Sequence, residues 1–393
     1  MVNTVFENLP TTVFELMSSL ARTHGAINLG QGFPEEPGPL AIREKAAEYS
    51  IEGPHQYAPS PGLPELRRAV SSFYWNHQSL DFDWNHEVTI TTGASEALAA
   101  SIFGLVNPGD EVIVFEPAYD LYIPVIQRAG GIPRILTLRP PDWTFSRHDL
   151  ESLFSPKTKA LILNNPMNPA ACVFSPDKLA IIAELCARFA VVAICDEVWE
   201  KTIFVGHQHI PLASFPEMRS RTVKIGSAGK LLSLTGWKVG FMMAVPELTS
   251  ILRKAHQFLS FSVSPNLQRA VAWGLENCPE WFDQLPRDLE RSKDTLTARL
   301  TELGLRTLDS QGTYFVNLDL AASSITEDDM SFCLRAVKQH GVAAIPSSAF
   351  YRDRAVDHVL RLCCAKPDKL LNEAAERLAA ARDAIAFTNR QHY

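Results

Sequence analysis

The chain has 393 residues, with 37 basic and 44 acidic side chains and a formal net charge of −7. At about 100–200 residues per domain, this length suggests two or three domains. Hydrophobic residues make up 46% of the chain and charged residues 21%, which is close to the average of soluble globular proteins and excludes global disorder. The acidic balance argues against a surface for nucleic acid or an anionic membrane, so we expect neither as a partner.

The sequence shows no targeting or membrane-spanning signal. Its first ten residues lack the basic and apolar regions of a signal peptide, and the apolar stretch 179–195 is interrupted by Glu184 and Arg188. Seven cysteines, an odd number, lie mostly in apolar runs and form no CxxC pair. These features predict buried, reduced thiols and a cytoplasmic location rather than a disulfide framework.

The middle of the chain alternates short apolar runs with helical patterns. The runs that we predict as strands are 111–115, 160–164, 190–195, 222–225 and 241–245. Helical patterns cover 95–106 and 176–189. Continuous apolar runs are typical of strands that are covered on both faces. Their alternation with helices indicates an α/β fold with a mostly parallel sheet between helices.

The C-terminal third has a pattern typical of a smaller α+β domain. It contains predicted strands at 312–318 and 358–364 and predicted helices at 281–303 and 369–385. Thr326 and Asp329 resemble a capping box before a further helix that ends near His340. We expect the N-terminal segment to pack with this part. The predicted division is therefore a large domain at 46–285 and a small domain formed by 1–45 plus 286–393.

Polar residues follow several of the predicted strands, at the sheet edge where open α/β folds hold their ligands. Lys230, in Gly226-Ser-Ala-Gly-Lys, stands shortly after such a strand and among small residues. A partly desolvated lysine in this position can have a lowered pKa and form a Schiff base. Taken alone, a surface lysine on a glycine-rich loop fits the pattern equally well.

Four further residues near strand ends favour the first interpretation, although each has an ordinary structural alternative. Asp196 could pair with a protonated pyridine nitrogen or cap a helix. Asn168 could donate to a phenolate oxygen or only shape a turn. Ser95 begins a helix whose N-terminus favours a phosphate, and Tyr119 could stack on a flat ring or belong to the core. Together they describe a site for pyridoxal phosphate.

These motifs resemble those of the fold-type I pyridoxal-phosphate aminotransferases of class I and II, and within them the methionine and kynurenine–glutamine group. The resemblance runs from Ile27-Asn-Leu-Gly-Gln-Gly-Phe-Pro34 to Arg361-Leu-Cys-Cys-Ala-Lys366. Its most specific segment is 226–240, Gly-Ser-Ala-Gly-Lys-Leu-Leu-Ser-Leu-Thr-Gly-Trp-Lys-Val-Gly. The resemblance implies a large domain around a mostly parallel sheet of the seven-stranded type, a smaller α+β domain, and a homodimer.

The resemblance also implies a role for each matching residue. Lys230 matches the lysine that holds the cofactor covalently and moves protons. Asp196 matches the carboxylate that keeps the ring nitrogen protonated, so that the ring acts as an electron sink. Asn168 matches the donor to the ring hydroxyl oxygen. The implied contacts to the phosphate and the ring face are Ala94, Ser95, Ser227, Lys238 and Tyr119.

Three further matches concern the substrate and the second subunit. Arg361 matches the arginine that binds the substrate α-carboxylate as a bidentate pair, next to Asn168 and the backbone of Gly32. Tyr57 matches a residue that reaches the phosphate of the neighbouring subunit. We therefore expect a small-molecule amino acid and a 2-oxo acid as substrates, with the amine passing through the cofactor in a ping-pong cycle.

The chain departs from the family pattern at Trp199, where many relatives carry a tyrosine that donates to the ring oxygen. The indole N–H is also a donor but lies elsewhere on a larger side chain, and we expect activity to survive because Asn168 remains.

Phe33, Phe261 and Phe350 could line an apolar substrate pocket, and no second arginine for a side-chain carboxylate is evident. Methionine, glutamine, leucine or aromatic amino acids are therefore the predicted donors.

Two alternative functions use the same motifs. Because β-elimination from cysteine conjugates or cystathionine shares its carbanion with transamination, a lyase remains an open alternative. A ligand-sensing domain of a transcription regulator is disfavoured, since the motifs begin near Gly30 and leave no room for a DNA-binding domain. The histidines show no metal-ligand spacing, so no metal is expected, and His207 and His209 are predicted to lie in a solvated loop.

Overall fold

The computed structural model describes residues 2–7 and 9–390, with the backbone alone for 385–390. The α-helices of these residues are α1 Thr4–Glu7, α2 Val13–His24, α3 Leu40–Glu52, α4 Pro64–Gln78, α5 Gly93–Leu105, α6 Tyr122–Arg128, α7 Arg147–Glu151, α8 Pro176–Arg188, α9 Ala228–Leu231, α10 Pro246–Leu259, α11 Pro265–Asn277, α12 Pro279–Glu302, α13 Asp329–Gln339 and α14 Asp368–Arg390. The strands are β1 Ile27–Asn28, β2 Val88–Thr91, β3 Glu111–Glu116, β4 Ile132–Thr137, β5 Thr158–Asn164, β6 Val192–Asp196, β7 Thr222–Ser227, β8 Gly240–Met243, β9 Arg306–Thr307, β10 Phe315–Asp319, β11 Val342–Ala343, β12 Ile345–Pro346 and β13 Val359–Cys363.

Within the described residues, seven strands form one sheet in the order β2-β8-β7-β6-β5-β3-β4. Only β8 pairs in the antiparallel sense, with β2 and β7, so the prediction of a mostly parallel sheet is confirmed. All five predicted strands of this region are present. The sequence analysis missed β2 and β4: β2 has only four residues, and β4 is a half-exposed edge strand containing Pro133.

Both faces of the sheet are covered by helices and hydrophobic cores. Ile162 of β5 and Ile194 of β6 belong to one core cluster, whereas their neighbours Leu161 and Cys195 belong to another. Because successive side chains of a strand point to opposite faces, these strands must be apolar throughout. Their polar residues are thereby confined to the strand ends.

A second, antiparallel sheet has the order β12-β13-β10-β9 and lies in the C-terminal third. The N-terminal strand β1 pairs in parallel with β11, with Ile27 opposite Val342. The N-terminal segment thus packs with the C-terminal part of the chain. The helix α12 runs without a break across residue 285, and the domain boundaries at 45/46 and 285/286 stay a prediction.

The predicted capping box at Thr326 and Asp329 is wrong. The helix α13 starts later, with Asp328 as its N-cap: the Asp328 carboxylate accepts from the backbone N–H groups of Met330 and Ser331. Asp329 is fully buried and accepts from the backbone N–H and the hydroxyl of Ser348. Its side chain is therefore engaged by a tertiary contact that the local sequence does not show.

Two other predictions concern the chain as a whole. All seven cysteines are buried and free, as predicted. Among the described residues, no helix has both the length and the apolar character needed to cross a membrane.

Candidate active site

A cavity of about 220 Å³ lies at the carboxyl ends of the central parallel strands. Nine of the residues predicted from the sequence line it: Ala94, Ser95, Tyr119, Asn168, Asp196, Trp199, Ser227, Lys230 and Lys238. Gly32 and Arg361 adjoin these residues through hydrogen bonds to Lys230 and Asn168. Tyr57 lies elsewhere on the surface.

Lys230 enters the cavity from α9, the single helical turn that directly follows β7. Its Nζ donates to the hydroxyl of Tyr314 at 2.8 Å and to the carbonyl of Gly32 at 3.2 Å. Burial lowers the pKa of the amine from 10.5 to about 8. About a tenth of the amine is therefore neutral and nucleophilic at pH 7, far more than for an exposed lysine, and the direction of the shift is the one predicted for a desolvated lysine.

Asp196 ends β6 and is almost completely buried. Its Oδ2 accepts a hydrogen bond from the hydroxyl of Tyr122 at 2.6 Å, while Oδ1 is buried without a partner among the described residues. Burial raises the pKa of the carboxyl from 3.8 to about 6, against the opposing effect of Tyr122. A buried carboxylate with one free oxygen is a site for a cationic or N–H donor group.

Arg361, on β13, is held by one side-chain oxygen and one backbone carbonyl. Its Nη1 donates to Oδ1 of Asn168 at 2.8 Å, and its Nη2 donates to the carbonyl of Gly30 at 2.6 Å. The guanidinium lies 4.1 Å from the ring centroid of Phe315, and the arginine is 1% exposed. Three of the five N–H groups of a guanidinium then remain available for a carboxylate.

The part of the cavity wall formed by the start of α5 and Lys238 is electropositive. The helix α5 starts at Gly93, whose φ of +73° requires glycine at this turn. A Cβ on Gly93 would lie 3.1 Å from Nζ of Lys238, so the lysine ammonium is next to the N-terminus of this helix. Ala94 and Ser95 follow in its first turn. Free N–H groups and an adjacent ammonium form a binding site for an anion such as phosphate.

Three residues around the cavity were missed by the sequence analysis. Tyr122 donates a hydrogen bond to Asp196. Asn164 accepts one from the backbone N–H of Asn168, and Tyr314 accepts one from Lys230. The sequence did hold a signal for Asn164, because it is the polar residue that ends the predicted strand 160–164. Tyr314 contacts Lys230 across 84 positions of the chain, and only the tertiary structure reveals that pair.

Trp199 is 3% exposed and packs edge-on against the ring of Tyr314, with centroids 4.4 Å apart. Its ring centroid lies 4.5 Å from Nζ of Lys230. The indole therefore contacts the lysine amine as well as lining the cavity.

A buried ionic cluster adjoins the segment that carries Asp196 and Trp199. Glu197, Glu200 and His209 bring three ligand-type atoms within 4.8 Å of one another. The ammonium of Lys224 already bridges the two carboxylates. Burial lowers the pKa of His209 to about 3, which keeps it neutral. The prediction that His209 is solvated is wrong, since its side chain is only 4% exposed.

A family model described as aminotransferase class I and II matches residues 24–378. The chain belongs to this aminotransferase family. The family uses pyridoxal phosphate, as the motifs predicted.

Similar proteins cover nearly the whole chain. The chain is 40% identical over 370 residues to the methionine aminotransferase of Escherichia coli (strain K12), which covers 94% of this chain and 96% of that protein. It is 36% identical over 399 residues to kynurenine–oxoglutarate transaminase 3 of Rattus norvegicus, with 94% and 88% covered. The structure of N-succinyldiaminopimelate aminotransferase from Mycobacterium tuberculosis matches with a TM-score of 0.94 and 40% identity, covering 97% of this chain and 100% of that one. The predicted fold class, that of the fold-type I aminotransferases, is confirmed.

The residues of this aminotransferase fit the cofactor of its family. The free Oδ1 of buried Asp196 suits the protonated ring nitrogen. The N-terminus of α5 with Lys238 suits the phosphate. Lys230 lines the same cavity and offers an amine that is about half neutral at pH 8.

The buried carboxylate of Asp196 should cost the cofactor-free enzyme stability. Because the folded pKa of about 6 exceeds the ordinary value of 3.8, ionisation is disfavoured in the folded state, and the full cost is present above pH 6 and absent below pH 4. We expect Asp196→Asn to raise the free energy of unfolding at pH 7.5 by up to about 3 kcal/mol, and to lower cofactor affinity. Urea unfolding at pH 7.5 and pH 4.5 checks this, because the gain should shrink at the lower pH.

Proposed function

We propose that this aminotransferase moves the amino group of an L-amino acid of the methionine, glutamine, leucine or aromatic type to a 2-oxo acid in a ping-pong cycle. The observation that carries the proposal is that Lys230, Asp196 and Arg361 are all buried and each held by a hydrogen bond. Lys230 donates to Gly32, Arg361 donates to Asn168, and Asp196 accepts from Tyr122. The relatives named for methionine and kynurenine support this donor class.

Each residue has a definite task in the proposed reaction. Arg361 binds and orients the α-carboxylate through its remaining N–H groups, in an environment that excludes water. Lys230 takes the proton from the substrate Cα and delivers it onward, since its pKa of about 8 suits both directions of transfer. Asn168 and Asp196 fix the two polar edges of the cofactor ring. When bound, pyridoxal phosphate supplies the electron sink that stabilises the carbanion at Cα.

The surroundings of Arg361 favour an apolar substrate side chain. The rings of Phe14 and Phe350 lie 5.1 and 5.5 Å from the guanidinium carbon. The cations that line the described cavity are Lys230 and Lys238, which are placed for catalysis and phosphate binding. A carboxylate on the substrate side chain would therefore lose its hydration without gaining a partner.

We expect kcat/KM for methionine to exceed that for aspartate by at least about 100-fold, because a desolvated, unpaired carboxylate costs several kcal/mol. Initial rates with a common 2-oxo acid acceptor measure this ratio. Alanine, which adds neither a charge nor apolar bulk, serves as the reference donor. Comparable values for methionine and aspartate would contradict the proposed donor class.

The first test of the function is the visible spectrum of the purified protein with pyridoxal phosphate, titrated with methionine and then with a 2-oxo acid. The cofactor band should shift when the amino group is taken up and return when the oxo acid removes it. If the band does not convert, and pyruvate and ammonia instead accumulate from a cysteine conjugate, the enzyme is a lyase. If no cofactor binds, the site assignment fails.

We further propose a homodimer in which Tyr57 completes the phosphate site of the neighbouring subunit. Tyr57 is 84% exposed, and its ring centroid lies 5.4 Å from that of Phe261, which is 42% exposed. Exposed aromatic side chains grouped in this way are typical of protein interfaces. We also propose the domain division at 45/46 and 285/286, and a cytoplasmic location on the basis of the free cysteines.

A further inference from the structure

The ε-amine of Lys230 is held by three groups whose contacts with it the sequence does not show. They are the Tyr314 hydroxyl at 2.8 Å, the Gly32 carbonyl at 3.2 Å, and the face of the Trp199 ring at 4.5 Å from its centroid. We propose that Tyr314 is a positioning residue which, with Gly32 and Trp199, orients the amine of Lys230 whenever it is not bonded to the cofactor. This inference rests on the proposed function. We call these three groups the amine seat.

The direction of the hydrogen bonds in the amine seat follows from the Tyr314 hydroxyl. Its oxygen lies 2.5 Å from the Gly32 carbonyl, which can only accept, so the single hydroxyl proton is donated there. The Tyr314 oxygen must then accept from Lys230, and the Gly32 carbonyl accepts from Lys230 as well. The lysine nitrogen thus gives one N–H to each acceptor.

This arrangement leaves one free position on the lysine nitrogen. Of its four tetrahedral positions, one is the bond to Cε and two are the N–H groups that point to Tyr314 and Gly32. The fourth carries the lone pair when the amine is neutral, or the third proton when it is an ammonium. The amine seat therefore fixes which position accepts a proton from the substrate and returns it.

The Tyr314 hydroxyl is held in place on all sides. Tyr314 is 2% exposed and packs on Trp199 and Phe315, with ring centroids 4.4 and 5.1 Å away. Burial raises the pKa of its phenol, so the hydroxyl keeps the proton that it gives to Gly32. A Cβ on Gly32 would come within 2.9 Å of the Phe315 ring, so the close approach of this carbonyl requires glycine.

The amine seat is also connected to the proposed substrate-binding arginine. The carbonyl of Gly30 accepts from Nη2 of Arg361, and two residues later the carbonyl of Gly32 accepts from Lys230. One short backbone segment therefore sets the distance between the guanidinium and the amine. Displacing this segment would misalign the two groups that must act on the same substrate.

The test compares Tyr314→Phe with Tyr351→Phe. Tyr351 is equally buried, and its hydroxyl also donates to a backbone carbonyl, that of Leu138 at 2.9 Å, but it is outside the amine seat. The pH midpoint of Lys230 acylation is measured in the cofactor-free proteins by mass spectrometry of the Lys230 peptide. Because the ammonium loses one acceptor, we expect the midpoint of Tyr314→Phe to fall by about half a unit to one unit. Tyr351→Phe should leave it unchanged.

The turnover number should fall, although a lower pKa alone would make the amine a more available base. With pyridoxal phosphate bound, we expect kcat of Tyr314→Phe to fall about tenfold with little change in KM. The amine of this variant is more often neutral, but it is no longer oriented.

An unchanged midpoint and an unchanged kcat in Tyr314→Phe, or equal changes in Tyr351→Phe, would overturn the proposal. If Tyr314→Phe does not fold, Trp199→Phe must lower the midpoint by a smaller amount, and an unchanged midpoint overturns it. Wild-type protein that binds no cofactor or transfers no amine contradicts the proposed function, while the acylation midpoints still decide on the amine seat.

Discussion

Replacing Lys230 with alanine is expected to abolish amino transfer and to leave pyridoxal phosphate held by non-covalent contacts alone. The variant loses both the nucleophile that holds the cofactor and the group that moves the Cα proton, so we expect kcat to fall by at least about 10⁴-fold. The binding groups for the phosphate and the ring nitrogen, Lys238 and Asp196, stay in place. The measurements are kcat with methionine, and the cofactor retained after borohydride reduction and denaturation.

The control for this substitution is Lys254→Ala, which removes a lysine from an exposed position on α10. It should keep both kcat and the covalently retained cofactor. Normal turnover in Lys230→Ala would end the proposed mechanism. Covalent retention without Lys230 would show that a different amine, Lys238 being the nearest candidate in the cavity, holds the cofactor.

The groups that sit at strand ends could be predicted from the sequence because their positions depend on local patterns. A strand that is covered on both faces carries a polar residue in its interior only where a buried partner is present, as Lys224 has in β7, so Asp196 and Asn164 are most easily placed at strand ends. Parallel neighbours then place these ends at one edge of the sheet, and Lys230 follows the next strand along. This constraint accounts for Asp196, Asn164 and Lys230, whereas Ala94, Ser227, Lys238 and Trp199 were predicted only from the resemblance to the aminotransferase family.

The residues that orient these groups could not be predicted, because their contacts join distant parts of the chain. Tyr314 reaches Lys230 from the position just before β10 of the second sheet, and Tyr122 reaches Asp196 from α6. His209 follows a polar loop in the sequence, yet Glu197 and Lys224 surround it in the folded chain. A local pattern records the polarity of a residue but not the partner that will bury it.

The buried ion cluster of Glu197, Glu200 and Lys224 lies next to the segment 196–200, which carries Asp196 and Trp199. Glu197 directly follows Asp196, and Glu200 directly follows Trp199. Both carboxylates bind the ammonium of Lys224, and Glu200 also accepts from the Tyr74 hydroxyl at 2.6 Å. The ion cluster thus ties both ends of the segment 197–200 to β7 and α4. We infer that it holds Asp196 and Trp199 in their positions beside the cavity.

Lys224→Met is therefore expected to destabilise the protein by about 3–5 kcal/mol, because it leaves two buried carboxylates without their cation. Burial alone would lower the pKa of Lys224, but Glu197 and Glu200 raise it above 10.5, so the lysine is charged at any pH below that value. Its contribution to stability is present throughout the neutral range and is lost only as the pH rises through the folded pKa. Thermal and urea unfolding at pH 7.5 measure the loss.

The matched control is Lys159→Met, which makes the same change at an exposed position of the strand β5 and should alter stability by no more than about 0.5 kcal/mol. Adding Glu197→Gln to Lys224→Met removes one of the two unpaired charges and should restore part of the lost stability, whereas two independent sites would show additive losses. Because Glu197 adjoins Asp196, the Lys224→Met variant should also bind pyridoxal phosphate more weakly than wild type. A Lys224→Met protein with wild-type stability and cofactor affinity would show that the ion cluster does not support the site.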